Sequence, residues 1–398
     1  MADMKRIYES IITDHFQRNA EMLFISGARQ VGKTTTTRGF ATEGLYLDWD
    51  VQEDRSDIIQ GQRHLSDRLG ASVGQTIVFD ELHKFADWKN FIKGFYDLHR
   101  PLAWKTIVTG STRLDTYRKG GDSLLGRYFH LQMFPLSTAE LARTEFSPQD
   151  VHSPEKIDAE AWEALLEFGG FPQPLLKAEK RFHRQWRRTR QDRLFQEDIR
   201  TLGGAYDLAK IELLAELILL NASSSLNHSS YARSVRASVE SIQRWITLLQ
   251  QLSYCFTIRP WTKNIARSIA KEPRLYLGDW SAIADPGKRN ENFIACSLLK
   301  AVEGWNDTGL GSYSLHYVRT KEKREVDFLI TKDNAAWLLL EAKTSETDLS
   351  PHLDYFQKIT GAPHALQAVI NLPYQDIDCF SVKAPAVVPA QTLLSQLL

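Results

Sequence analysis

Through its first third the chain alternates short apolar runs with longer amphipathic stretches. Leu23–Ser26, Leu45–Trp49, Thr76–Phe79, Thr106–Val108 and Tyr128–Met133 are apolar or β-branched runs of strand length, and they predict buried parallel strands. Strands alternating with helical segments predict a doubly wound parallel sheet, hence an α/β fold. Pro135 and Pro148 punctuate its end. Beyond them Trp162–Phe168 reads as a helix stopped by Gly169-Gly170-Phe171-Pro172. Residues 208–260 read as a small helical domain. In it Ile211–Leu220 is apolar enough for a core, and Val239, Ile242, Ile246 and Leu249 form one buried stripe. Asn221–Ser230, rich in Ser and Asn, reads as a loop, and Gln251–Ile258 with Arg274–Leu277 as a β-ribbon. In the last third Glu291 opens a helix over Phe293–Leu299. The runs Tyr313–Val318, Glu325–Ile330 and Trp337–Leu340 predict strands, the last two joined by a turn at Lys332-Asp333-Asn334.

The first strand leads into chemistry. Gly27-Ala28-Arg29-Gln30-Val31-Gly32-Lys33-Thr34, followed by Thr35, fits G-x-x-x-x-G-K-[ST] at every fixed position. The glycines let backbone N–H groups curl around phosphate oxygens, and the helix that follows points its positive end at the anion. Lys33 reaches the β- and γ-phosphates, and the Thr34 hydroxyl coordinates Mg²⁺, so ATP with Mg²⁺ is the expected ligand. Asp80 and Glu81 end the third predicted strand, where ligands bind in open α/β sheets. Asp80 suits the Mg²⁺ shell, and Glu81 suits orienting and polarising the attacking water. The hydroxyls of Thr109 and Ser111 stand where a γ-phosphate would be felt.

Two further patterns carry chemistry. Glu341 and Lys343 sit two apart on a strand and share a face, with Asp327 on the neighbouring strand and Glu291 on a helix before them. Two carboxylates and a lysine on one patch, with Asp327 and Glu341 as ligands, can hold Mg²⁺ or Mn²⁺ for phosphodiester attack. The same residues also read as a surface salt-bridge network. Residues 177–200 hold nine Lys/Arg against four acids, with Phe182, Trp186 and Phe195 among them. That stretch reads either as a contact for DNA or RNA phosphates or as a lid helix with a solvated face.

Composition narrows the field. With 398 residues the chain predicts two to four domains. Lys plus Arg is 49 and Asp plus Glu is 49, which excludes coating nucleic acid by bulk charge. Hydrophobic content of 43% and charged content of 25% are ordinary for globular proteins, so disorder is not the default. Cys255, Cys296 and Cys379 are far apart and make neither a metal spacing nor a disulfide framework. The longest apolar stretch, Leu213–Leu220, contains Glu216, and charges interrupt the N-terminus, so neither a membrane span nor a signal peptide is read. The expectation is a cytoplasmic protein with no membrane partner.

With these motifs the chain resembles prokaryotic AAA-type ATPases fused to a C-terminal domain of unknown function, over nearly its whole length. The markers are Gly27–Thr35, Val78–Lys84, Thr109–Leu114, Gly126–Ser137 and Gly169–Pro172, with the C-terminal carboxylates and lysine. The resemblance implies a P-loop AAA-type domain over 1–150, a helical lid or linker with the basic helix over 151–204, a winged-helix-like domain over 205–275 and a PD-(D/E)XK nuclease-like domain over 276–398. It places Ser111 near the γ-phosphate sensor position. It makes Arg127, in Gly126-Arg127, a candidate to act on the γ-phosphate in cis or in trans, with Arg113 competing. It implies that Glu291, Asp327, Glu341 and Lys343 form the nuclease-like site. Two functions follow. One is a Mg-ATP-hydrolysing ATPase coupled to a nuclease-like domain acting on DNA or another nucleic acid. The other is a nucleotide-dependent DNA- or protein-binding switch that recognises without cutting. AAA-type ATPases commonly form rings, which leaves a homo-oligomer open.

Overall fold

A computed structural model describes residues 4–42, 44–70, 72–110, 124–200, 207–261 and 272–398. The chain divides into two compact units, one of Met1–Phe134 with Arg143–Ser147 and one of Pro135–Ala142 with Pro148–Leu398. The expected limit of the first domain at residue 150 is therefore moved, because Pro135–Ala142 already packs with the second unit.

In the first unit α1 (Ile7–Arg18) precedes β1 (Met22–Gly27), α2 (Lys33–Arg38), β2 (Leu45–Asp48), α3 (Gln52–Gln60), α4 (Gln62–Leu69), β3 (Thr76–Asp80), α5 (Trp88–His99), β4 (Lys105–Thr109) and β5 (Tyr128–Met133). The strands form one parallel sheet in the order β2-β3-β4-β1-β5. β1 is buried at every position, as a central strand of a parallel sheet should be. Phe79 of β3 meets Phe91 and Phe95 of α5 edge-on at 5.6 and 5.2 Å, which seats that helix on the sheet.

The second unit begins with α6 (Thr138–Ala142), α7 (Ala159–Phe168), α8 (Pro172–Lys177) and α9 (Lys180–Arg193), which runs into a π-helical turn at Leu194–Asp198. Next come α10 (Leu208–Leu220), β6 (Ser224–Ser225), α11 (His228–Val235), α12 (Val239–Gln251), β7 (Cys255–Pro260) and β8 (Arg274–Leu277). The Ser/Asn-rich segment expected as a loop holds β6 and the start of α11. Asn227 caps that helix by accepting the Ser230 N–H, a capping role its composition also allows. Of the expected stripe of α12, Ile242, Ile246 and Leu249 are buried in one core with Ile211, Leu214 and Ile218 of α10, and Val239 at the helix start is half-buried against it.

The chain ends with α13 (Pro286–Asp307), β9 (Tyr313–Arg319), β10 (Glu325–Lys332), β11 (Ala335–Lys343), α14 (Pro351–Thr360), β12 (His364–Val369), β13 (Ala386–Pro389) and α15 (Ala390–Ser395). Glu291 does not open its helix. α13 starts a turn and a half earlier, with Asp285 accepting the Lys288 N–H and Pro286 at the first position. Asp333 and Asn334, at φ of 50° and 67°, form the tight turn between β10 and β11.

The expected boundary at 275/276 falls inside β8. β7 pairs in parallel with β9 through Arg259–His316 and Pro260–Tyr317, and one eight-stranded sheet runs β13-β12-β11-β10-β9-β7-β8-β6. This pairing covers a β7 edge that would otherwise present unpaired backbone groups. Among the described residues no helix is long and apolar enough to cross a membrane.

Leu339 of β11 is fully buried in a cluster with Val326, Leu329, Leu353 and Phe356. Leu339→Ala should lower the unfolding free energy in urea by about 2–5 kcal/mol. A loss below about 1 kcal/mol would show that β11 is not a core strand.

Candidate functional site

β1 ends in Gly27, where a Cβ would lie 2.4 Å from the Met133 carbonyl oxygen, so the approach of β5 admits only glycine. The loop then turns through Gln30 at φ 64° and Gly32 at φ 106°, and the Gly32 carbonyl accepts the Thr36 N–H at 2.9 Å. Arg6, just ahead of α1, anchors it. Its Nη1 donates to the Val31 carbonyl at 2.6 Å and its Nη2 to the Phe134 carbonyl at 2.8 Å. The Lys33 ammonium is held by the loop itself, donating to the carbonyls of Gly27 and Ala28 at 2.9 Å each.

Asp80 faces this loop and is 2% exposed. One carboxylate oxygen accepts from the Thr34 hydroxyl at 2.8 Å and from the Tyr46 hydroxyl. The other accepts from the Thr109 hydroxyl, at the end of the strand between β3 and β1. Burial, then the Asp80 charge, raises the Tyr46 phenol above its ordinary pKa, so it stays a neutral donor. A hydroxyl and a carboxylate in contact are the oxygen donors Mg²⁺ prefers, and they fit that ion. Among the described residues no group of three or more His, Cys, Asp or Glu is arranged to hold a metal. A divalent ion here therefore needs nucleotide phosphates and water to complete its shell.

Glu81 sits at φ 55°, a region sparsely used by non-glycine residues and concentrated at functional sites. Its carboxylate lies 3.3 Å from Lys84 Nζ and 3.7 Å from His83 Nε2, and Lys84 also reaches Asp50 at 2.6 Å. Ser111 and Arg113 lie outside the described residues. Arg127 is not part of this constellation. Met22 pairs with Tyr128 and Gly27 with Met133, so Arg127 precedes β5 at the end of the sheet opposite the loop. Six residues of strand put it roughly 20 Å away. It forms a two-pronged pair with Asp97 of α5, at 2.8 and 3.1 Å. A role on the γ-phosphate in cis is corrected by this placement.

The C-terminal candidates do meet. Phe328 pairs with Leu340, which sets Asp327 beside Glu341, and Lys343 Nζ lies 3.1 Å from Glu341 Oε1. Asp327 Oδ2 accepts the Ala342 N–H at 3.0 Å. From α13, Glu291 Oε1 accepts from the Tyr276 hydroxyl at 2.9 Å and from Arg274 Nη1 at 3.3 Å. The same Nη1 is 3.2 Å from Asp327 Oδ1, and Arg274 Nη2 pairs with Glu325. Arg274 thus stands among the expected residues. Burial, then the charge of Asp327, pushes the carboxyls of Glu291 and Glu341 well above the ordinary carboxylate range. For Arg274 burial alone acts downward, but Tyr276, Glu291 and Asp327 outweigh it and hold the guanidinium firmly charged. The oxygen donors are of the kind that binds Mg²⁺ or Mn²⁺, but the guanidinium takes the position they would share around an ion. As arranged, these residues do not fit a metal.

The expected basic stretch is narrower in space than in sequence. On α9 Arg181, Arg184 and Arg188 share an exposed face, opposite the buried His183 and Trp186. Arg190 turns inward, 4.0 Å from the centroid of the Phe171 ring and 3.5 Å from Asp279.

Residues 19–142 match a family model described as an AAA domain. Over that stretch the first domain is similar to AAA domains, in keeping with its P-loop and parallel sheet. Residues 159–284 and 286–385 match models each described as a domain of unknown function, DUF8612 and DUF4143. No curated protein sequence matches the chain. Solved structures similar to it include Aeropyrum pernix ORC1 in complex with DNA, at 14% identity and a TM-score of 0.33 over 72% of this chain and 92% of that one. Aquifex aeolicus DnaA bound to AMPPCP aligns at 13% identity and 0.32 over 61% and 86%. A Thermotoga maritima RuvB variant aligns at 12% identity and 0.30 over 63% and 86%. Superpositions this loose carry no argument about ligands or activity.

Sequence reasoning missed Arg6, Tyr46, Arg274 and Tyr276. For the last two a signal exists, since residues two apart on a strand share a face. No local pattern marks Arg6 or Tyr46, which reach the AAA-type site only through the fold. The position of Arg127 makes a checkable statement. Arg127→Ala should leave the affinity of the monomeric chain for a fluorescent ATP analogue within about twofold of wild type, because screening removes a charge effect over that distance. A tenfold loss in the monomer would contradict the placement.

Proposed function

We propose that the chain is a Mg-ATP-binding and hydrolysing ATPase that works on nucleic acid. The contact of the Thr34 hydroxyl with the Asp80 carboxylate at 2.8 Å carries the reading, beside a loop that already encloses the Lys33 ammonium. The N–H groups from Gly27 to Thr35 would receive phosphate oxygens, and Lys33 would exchange its two carbonyls for them. Thr34 and Asp80 would hold Mg²⁺, which when bound neutralises charge on the β- and γ-phosphates. Glu81, steadied by Lys84, would orient and polarise the attacking water. Ser111 remains the proposed γ-phosphate sensor. Lys33→Ala should abolish ATP binding. Glu81→Gln should keep binding while kcat falls by about 10²–10⁴. Hydrolysis by Glu81→Gln at the wild-type rate would remove Glu81 from the mechanism.

For the nucleic acid, support comes from the exposed Arg181, Arg184 and Arg188 face and from residues 208–277. The order α10-β6-α11-α12-β7-β8, with strands arranged β6-β8-β7, supports the winged-helix reading. Replacing the three arginines by alanine should reduce the slope of log affinity for duplex DNA against log salt by about 2–3. An unchanged slope would leave this face as a solvated lid.

The PD-(D/E)XK reading of the C-terminal domain is supported by Glu291 on a helix, Asp327 on a hairpin and Glu341 with Lys343 on its partner strand. Arg274 favours the second reading, in which this domain recognises without cutting in the arrangement described. A homo-oligomer would give Arg127 a role in trans, on condition that it parts from Asp97.

A further inference from the structure

We propose that Arg274 is a built-in counter-ion that closes the C-terminal carboxylate cluster to divalent metal, so that the cluster binds Mn²⁺ or Mg²⁺ only when this guanidinium is removed. The proposal rests on the nuclease-like reading of that domain and not on the ATPase reading. One guanidinium, on β8, meets Glu291 of α13 and Asp327 and Glu325 of β10. Its planar fork suits several carboxylates at once in a way that a lysine ammonium does not. The side chain is 12% exposed, and the Tyr317 ring lies 5.3 Å from its carbon, so it is seated rather than draped over the surface.

The cluster keeps a demand for positive charge. Glu341 is 7% exposed, and its Oε2 has no hydrogen-bond partner. A buried carboxylate oxygen without a partner is unfavourable, and a cation is what would satisfy it. Lys343 reaches only the other oxygen, Oε1, at 3.1 Å. A divalent ion bridging Asp327 and Glu291 would stand against Arg274 Nη1, which already uses the facing oxygens of both. Two cations cannot share that place, so loss of one is the condition for the other.

Mn²⁺ uptake by the full-length, nucleotide-free chain tests this, read from the electron paramagnetic resonance signal of the unbound ion. Any Mn²⁺ held elsewhere is common to all forms and cancels. Arg274→Ala should take up about one Mn²⁺ per chain more than wild type, and Arg274→Ala with Asp327→Ala should lose it, as expected of an oxygen-ligand site. Arg274→Lys separates bulk charge from the guanidinium fork, and uptake of Mn²⁺ by this variant short of Arg274→Ala supports the fork as the plug. Folded Arg274→Ala with no extra Mn²⁺ would overturn the proposal, and so would Arg274→Lys binding as much Mn²⁺ as Arg274→Ala. Should Arg274→Ala not fold, wild type against Asp327→Ala decides. Equal uptake supports closure, and uptake by wild type that Asp327→Ala removes overturns it. ATP binding measured on the same preparations reports separately on the AAA-type domain.

Discussion

The hydrogen bond from the Thr34 hydroxyl to the Asp80 carboxylate joins the helix that follows β1 to the end of β3, and those two strands are neither adjacent in sequence nor neighbours in the sheet. It exists because β4 lies between β3 and β1 and because all three strands run the same way. Their carboxyl ends therefore open on one side, and Thr109 of β4 fills the gap by donating to Asp80 as well. Slide or reverse any of these strands and Lys33, Thr34 and Asp80 no longer share a crevice. The glycine at the end of β1 serves the same constraint, since only the absence of a Cβ lets β5 come so close.

The chain handles buried carboxylates in two ways, and the difference has functional weight. Asp80 is surrounded by neutral hydroxyls, from Thr34, Tyr46 and Thr109. They satisfy its lone pairs without cancelling its charge, so the site still attracts a cation brought by a ligand. Glu291 and Asp327 are instead met by a charged guanidinium, which satisfies lone pairs and charge together. Carboxylates thus produce one site disposed to accept a metal and one that supplies its own cation.

Several features were legible in the residues alone. The apolar runs marked the strands of the first sheet because a strand buried on both faces has no polar alternation to obscure it. The loop motif was legible because phosphate binding by backbone amides needs glycine at set intervals. Asp327, Glu341 and Lys343 could be brought together on paper because a tight turn fixes hairpin register and residues two apart share a face. Other expectations yielded to the fold. Asn221–Ser230 resembled a loop because Ser and Asn serve caps as well as turns. The expected division at 275/276 lies within β8, and the pairing of β7 with β9 joins segments more than fifty residues apart.

The sequence by itself marked most of the candidate residues for chemistry and the middles of the strands that bear them. Both follow from side-chain type and from periods of two to four residues along the backbone. Only the tertiary structure decided which of those residues meet. It carried Arg127 to the far end of the sheet, paired with Asp97, and it set Arg274 among the C-terminal acids. Strand order and edge pairing depend on the burial of whole faces and on unpaired backbone groups finding partners. Such requirements are met between distant segments, and no local pattern records them.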